Sequence, residues 1–471
     1  MKILQLISFF FFMIPFTAFS TKREQAPNVI IFLADDAGYA DFGFMGSKDL
    51  KTPNIDRIAE QGVHFTDFHV TGSVCAPSRA GLMTGRYQHR FGAEFNYSSK
   101  EEGVPTSEIM LSEFLKEHGY KTAAYGKWHL GEIPEYHPNK RGFDEFYGFL
   151  GGHRKYFADE KDDNPERNTA MQHNGEYITF DGYLTDELGN SASDFITANK
   201  ENPFFIYLAY NAVHTPMQAT EEDMALFEGH PRQILAAMTW ALDRSIGNVM
   251  QTLKDEGIDD NTIVIFLSDN GGPTGQNMSS NLPLKGTKGT EFEGGHRVAC
   301  AMRWNGKIEA GSKFEKLTSA FDLFPTIAEA AGINTEPKNK LDGVALQPYL
   351  SGENTSAPHD KLFWRITPWA AARFGEMKVV RADTFGIGLY NLRKDIGEVE
   401  NLATEKPEEL AKIKSELVNW ENQMAEPFGK RSPDWEEVKG YMYSDYLNND
   451  TIRFYTPYQL KAYRKTLLNK K

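Results

Sequence analysis

Short apolar runs at residues 28–33, 121–125, 203–210 and 262–267 constrain this chain more than any other feature. They are short and lack polar alternation, as expected of strands covered on both faces; the run at 121–125 is the least pure. Helical patterns lie between them. Ile55, Ile58 and Ala59 share a face, with Thr52 as the N-cap, Pro53 as the first helical residue and Gly62 as the stop. A second helix is expected near 107–118, ending at Gly119. A long one is expected over 233–256, where Ile234, Leu235, Met238, Leu242, Ile246, Val249 and Leu253 recur at helical spacing before Gly257. Strands alternating with helices predict an α/β fold with a large, mostly parallel sheet sandwiched by helices.

The chain's 471 residues exceed what one compact core needs, and its character changes near residue 355. Strand-like pieces at 362–366, 376–381 and 385–390 precede a charged helix near 407–420, which predicts a small antiparallel sheet with one helix. The expected organisation is a signal peptide at 1–20, a main domain over 21–355 and a C-terminal α+β subdomain with its tail over 356–471. The tail from Glu421 receives no assignment. Residues 3–19 are apolar after Lys2, and the small residues Ala18 and Ser20 suit cleavage after Ser20. That pattern is a secretory signal, so the protein is expected to be exported, periplasmic or secreted, with no membrane span after cleavage. The formal net charge of −14 argues against nucleic acid as a partner. An anionic ligand would need a locally basic site. The two cysteines, Cys75 and Cys300, could form one disulfide, but the context of Cys75 points elsewhere and Cys300 reads as a small buried residue.

Every strand run leads into chemistry-bearing residues. Asp35-Asp36 follow the first, Lys127 and His129 the second, His214 the third and Asp269-Asn270 the fourth. Open α/β sheets place their sites at such carboxyl ends. The two acidic pairs offer oxygen donors suited to a hard divalent cation, Ca²⁺ in preference to Mg²⁺, and not to Zn²⁺. Cys75 lies in Val74-Cys75-Ala76-Pro77-Ser78-Arg79, with Arg79 one helical turn on. The glycine-rich loop at 285–295 carries Lys285 and Lys288 without the spacing of a phosphate-binding P-loop.

Cys-x-Pro-Ser-Arg at 75–79, with these strand-end residues, resembles the type I, formylglycine-dependent sulfatases of the alkaline phosphatase superfamily, over about residues 28–402. The resemblance implies an alkaline phosphatase-like fold and hydrolysis of a sulfate ester on a carbohydrate, such as an algal galactan like carrageenan or a glycosaminoglycan. It implies that Cys75 is converted to formylglycine by a formylglycine-generating or anaerobic sulfatase-maturing enzyme. It also implies that Asp35, Asp36, residue 75, Asp269 and Asn270 bind the metal. Arg79, Lys127, His129, His214 and Lys288 would line the sulfate pocket. Asp269 would accept the proton of the attacking hydroxyl, His214 with Lys288 would protonate the leaving alcohol, and His129 would deprotonate the second hydroxyl. Arg90, His153, Arg154 and His296 are candidate sugar contacts, with Tyr87 and His89 nearby in sequence. The alternative enzyme is a phosphonate or phosphate ester hydrolase of the same superfamily. The alternative outside enzymes is a catalytically silent glycan-binding homologue.

Overall fold

A computed structural model describes residues 26–468, apart from 98, 335 and 336. The expected signal peptide lies outside the described residues. No helix among those described is long and apolar enough to cross a membrane.

The main sheet has ten strands, in the order Ser312–Phe314, Val63–Phe65, Cys300–Arg303, Thr262–Ser268, Asn28–Ala34, Phe204–Ala209, Lys121–Lys127, Glu145–Phe149, Gln172–His173 and Glu176–Tyr177. From Thr262–Ser268 to Glu145–Phe149 the pairing is parallel. Cys300–Arg303 runs antiparallel to both neighbours. Asn28–Ala34 is central and fully buried. Its pleat sends Ile30, Phe32 and Ala34 into one layer and Val29, Ile31 and Leu33 into the other. Leu188 and Ile246, from helices Leu184–Asn199 and Gln233–Asp255, fill the first layer. Ala80, Phe114 and Ile327, from Cys75–Thr84, Leu111–Glu117 and Leu323–Ala330, fill the second.

Two local expectations change. The helix expected over 107–118 is confined to Leu111–Glu117. Thr52 stands at the N-cap position of Pro53–Glu60 but does not cap it with its side chain. Asp243, on the long helix, instead accepts the orphan N–H groups of Asn54 at 2.9 Å and Ile55 at 2.8 Å.

The C-terminal sheet has four antiparallel strands, Lys361–Ile366, Trp369–Phe374, Met377–Arg381 and Ile387–Asn391, with helix Pro407–Glu421 against it. Trp369–Phe374 was not expected, because Ala370-Ala371-Ala372 carry little strand preference and Pro368 precedes them. Buried charges tie this sheet to the main domain. Lys378 lies between Glu293 at 2.8 Å and Glu398 at 3.0 Å, and Arg373 grips Asp67 at 2.6 and 2.7 Å. The tail forms two helices, Pro433–Leu447 and Pro457–Leu468. Val438, Met442, Phe454 and Leu460 make a small core between them. Their docking point is the glycine-rich loop: the Tyr443 hydroxyl accepts the Glu291 N–H at 2.8 Å, and Lys439 Nζ donates to the Lys288 carbonyl at 2.5 Å.

Candidate active site

The carboxyl ends of the central strands bring most of the candidate residues together. Backbone hydrogen bonds stitch the ends to one another: Asp35 N–H to the Ala212 carbonyl at 2.8 Å, and Val213 N–H to that of Asp35 at 2.7 Å. Asp36 takes a left-handed conformation (φ 64°) and donates its N–H to Asp269 Oδ1 at 3.2 Å. Asn277, buried and unanticipated, holds the Asp36 carbonyl at 2.9 Å. Gly126 must lack a side chain, since a Cβ there would lie 2.1 Å from the Ala209 carbonyl oxygen. At Gly152 a Cβ would lie 2.8 Å from the His129 ring.

Cys75 opens helix Cys75–Thr84, so Arg79 projects one turn on from it. The Arg79 guanidinium is wholly buried. Nε and Nη2 donate to Asp269 Oδ2 at 3.0 and 2.8 Å, and Nη1 donates to the Lys127 carbonyl at 3.0 Å. Lys127 Nζ donates to Asp35 Oδ2 at 2.7 Å. Lys288 Nζ reaches both Asp36 Oδ1, at 2.6 Å, and Cys75 Sγ, at 3.0 Å. Cys75 Sγ lies 3.6 Å from Asp35 Oδ1. His214 Nδ1 faces the Thr215 carbonyl at 2.5 Å, which assigns its proton there, and Nε2 faces Asp36 Oδ2 at 3.4 Å.

The residues fit a divalent cation. Ligand atoms of Asp35, Asp36, Cys75 and His214 all lie within 4.8 Å of one another. Asn270 donates its Nδ2 to Asp36 Oδ1 at 2.7 Å, while its Oδ1 is buried without a hydrogen-bond partner. A buried amide oxygen without a donor is costly, and a metal would satisfy it. Carboxylate and amide oxygens suit a hard cation.

The electrostatics agree with that fit. Burial, then Asp269, pushes the Asp35 carboxyl up to about 7 against Lys127 and Arg79, and a further positive charge there would favour its ionised form. Burial also raises Asp269, but Arg79, Lys127 and Lys288 outweigh it and hold the carboxyl well below its usual range. Burial pushes the Cys75 thiol up to about 12, with Lys127 and Lys288 opposing. A buried, protonated thiol is a poor nucleophile. Burial lowers His214 to about 3, and burial with Lys127, Arg79 and Lys288 holds His129 well below the usual histidine range, so both imidazoles are neutral.

A cavity of about 410 Å³ opens beside this cluster, with Asp36, His214 and Lys288 in its lining. That volume is ordinary for a small-molecule site. His153 is exposed nearby, its ring 6.3 Å from that of His214. The other sugar-contact candidates lie elsewhere. Arg90 is bidentate on Asp342 at 2.7 and 2.6 Å. Arg154 is buried, held by the Thr169 carbonyl and Asp163. His296 is fully buried and stacked on Trp364 at 4.0 Å. Tyr87 and His89 are likewise buried, bonded to the backbone of Phe363 and Arg365. Lys285 is held by Tyr446 and Asn449, which leaves Lys288 as the loop's cation at the site.

Sequence reasoning missed part of the cavity wall: Asn96, Gln276, Lys430, Arg431, Trp435 and Lys439. The last four belong to the unassigned tail. Trp435 and Lys439 are one helical turn apart, the only sequence signal that they share a face.

The sulfatase family pattern matches residues 27–333. Human N-acetylgalactosamine-6-sulfatase is 35% identical over 381 residues, covering 76% of this chain and 72% of its own. The uncharacterized sulfatase YdeN of Escherichia coli K12 is 32% identical over 403 residues, 74% and 70% of the two chains. The solved structure of Ps i-CgsB in complex with k-i-k-neocarrahexaose is similar, with a TM-score of 0.82, 38% identity, and 89% of this chain and 98% of that one covered. PsFucS1 sulfatase from Pseudoalteromonas sp. shares the fold, with a TM-score of 0.73 and 23% identity over 85% of this chain and 90% of its own. Helix-borne Cys75 and Arg79 beside an oxygen-rich, strand-end site therefore belong to a sulfuric ester hydrolase, and the chain is a member of the sulfatase family.

Proposed function

We propose that the protein is exported and removes sulfate from a sulfated galactan of the carrageenan type, using formylglycine at residue 75 and a bound Ca²⁺. The observation that carries this reading is the position of residue 75. Its side chain is buried among Asp35, Lys288 and the oxygen donors that fit the metal, beside the cavity. A thiol held protonated there has no evident chemical use. Hydrated formylglycine would supply an oxygen nucleophile and, in its second hydroxyl, a route for releasing sulfate. Its oxygen would also suit the hard metal better than sulfur.

The chain's own residues divide the remaining work. Asp35, Asp36, Asp269 and Asn270 would hold the Ca²⁺, which would supply Lewis-acid stabilisation of negative charge. Arg79 fixes Asp269 and Lys127 in position through its buried fork. Lys127 and Lys288 balance negative charge as the ester breaks. Asp269 accepts the nucleophile's proton. Lys288 faces the cavity, where the sugar alcohol departs, and there donates its proton; His214, neutral with its proton held on the Thr215 carbonyl, lines the same wall without a proton to give. His129, neutral and with Nδ1 buried without a partner, accepts the proton of the second hydroxyl.

Support for a carrageenan-type substrate is the likeness to Ps i-CgsB, solved with k-i-k-neocarrahexaose. The relatives named N-acetylgalactosamine-6-sulfatase make glycosaminoglycans the comparison to run. Mass spectrometry of the mature protein should find residue 75 without sulfur, and sulfate release should be faster from carrageenan oligosaccharides than from glycosaminoglycan oligosaccharides. An unmodified thiol in fully active enzyme would end the formylglycine reading, and the reverse preference would end the substrate reading.

A further inference from the structure

The cavity beside residue 75 is closed on one side by the tail. Lys430, Arg431, Ser432, Trp435 and Lys439 line it, opposite residues contributed by the strand ends and the glycine-rich loop. Three of these five are cations, in a chain with a net charge of −14. The chemistry at residue 75 uses none of them.

Their bonding is unusual. Lys439 is 6% exposed, and among the described residues its ammonium makes one hydrogen bond, to the Lys288 carbonyl. Arg431 packs its guanidinium 4.9 Å above the Trp369 ring and makes no hydrogen bond or ion pair among the described residues; its Nη1 is buried without a partner. Glu291 and Glu436 are the carboxylates that act on Arg431. Glu291 Oε1 already accepts from the Ser73 hydroxyl at 2.8 Å, and burial raises this carboxyl to about 7. Burial lowers Lys439 well below the usual lysine range, with Arg431 and Lys288 adding to the shift, and lowers Arg431 to about 10. Two cations held close together, with no carboxylate in ion-pair contact among the described residues, oppose folding even with Glu291 and Asp36 in their field. Their placement makes sense if an anion from outside the chain completes them. Trp435, whose ring lies 5.9 Å from the Lys439 ammonium, lines the cavity beside them and adds apolar surface of the kind a sugar ring packs on.

We propose that Arg431 and Lys439, with Lys430 at the rim, form a second anion subsite that binds a further sulfate or carboxylate group of the substrate next to the sulfate being removed. The proposal rests on the sulfatase reading for the first sulfate and adds to it that the enzyme prefers sugars with two anionic groups. Guanidinium and ammonium recognise sulfate and carboxylate alike, so the experiment separates the two.

Three disaccharides serve as probes: a disulfated galactobiose, a monosulfated galactobiose and a monosulfated disaccharide with a uronic acid. Binding to the Cys75→Ser protein is measured by calorimetry, alongside sulfate release by the mature enzyme. The expected result is that a dianionic probe binds at least about tenfold tighter than the monosulfated one. That ratio should collapse towards one in Arg431→Gln and Lys439→Met and largely survive in Arg431→Lys. A preference for the disulfated probe alone assigns the subsite to sulfate; equal preference for the uronate assigns it to anions in general. No preference in the parent protein, or one unchanged in both charge-removing variants, overturns the subsite. If the binding preference is present but the mature enzyme releases no sulfate from any probe, the sulfatase reading fails while the subsite stands. If sulfate is released from all three probes with no difference in binding, the subsite fails while the sulfatase reading stands.

Discussion

The loop over residues 285–297 serves two clusters of buried charge, each with three carboxylates and three cations, that meet opposite fates. At the active site Asp35, Asp36 and Asp269 face Arg79, Lys127 and Lys288. Beneath the C-terminal sheet Asp67, Glu293 and Glu398 face Arg297, Arg373 and Lys378, with His69 and His296 alongside. Both sets include side chains able to bind a metal. In the second, the ammonium of Lys378 is wholly buried between Glu293 and Glu398, so the protein itself supplies the cation. In the first, Lys288 retains 15% of its side-chain exposure beside an open cavity, and Asn270 Oδ1 is left over. Charge balance alone does not mark a site. An unfilled acceptor beside a cavity does.

The sharpest test of the open cluster is Cys75→Ser. Sulfate release should fall at least about 10³-fold with the melting temperature nearly unchanged, because the nucleophile alone is altered. Near-normal turnover would remove the main distinction between the clusters. Next is the closed cluster. Lys378→Met leaves Glu293 and Glu398 buried without their ammonium, and chemical denaturation should show a loss of about 3–5 kcal/mol. Lys288→Met should behave differently: in metal-loaded protein, kcat/KM falls about 10²-fold while stability changes by less than about 1 kcal/mol. If both lysines cost stability equally, the clusters are alike after all.

A smaller effect concerns pH. Burial, with Glu293 adding to it and Lys378 opposing, pushes the Glu398 carboxyl up to about 7 from an ordinary 4.5. A raised carboxyl binds its proton more tightly in the folded state. Its contribution is therefore complete below about pH 4.5 and is lost as pH rises through about 7. Glu398→Gln should remove about 1–3 kcal/mol of that decline, read from denaturation curves across this range. An unchanged slope would assign the titration to another group. The smallest effect belongs to Arg90→Gln, which breaks a partly exposed pair with Asp342 and should cost about 1 kcal/mol or less, with sulfate release unchanged.

The strand ends were legible because apolar runs and the polar residues that follow them are adjacent in sequence, so Asp35, Asp36, Lys127, His214, Asp269 and Asn270 could be read together. The helix from Cys75 to Arg79 was legible for the same reason. What failed was partnership across long stretches of chain. Arg90 and His296 look like free polar groups until Asp342 and Trp364 arrive from elsewhere, while Arg154 is enclosed by its own following loop, through Asp163 and the Thr169 carbonyl. Asp243, capping a helix from 189 residues away, leaves no local trace. The tail defeated pattern reading because Pro433–Leu447 has little amphipathic contrast. It packs against several surfaces at once, through Val438, Lys439, Met442 and Tyr443.

The depth of residue 75 bears on the order of events in making the enzyme. Its side chain is 1% exposed, and the wall over it comes from residues near the end of the chain. An enzyme that converted residue 75 would have to reach the backbone around Val74–Arg79, which in the finished molecule is an embedded helix start. On the formylglycine reading proposed above, oxidation of this cysteine would belong to the interval before the chain closes, and a molecule that folds first would stay unconverted.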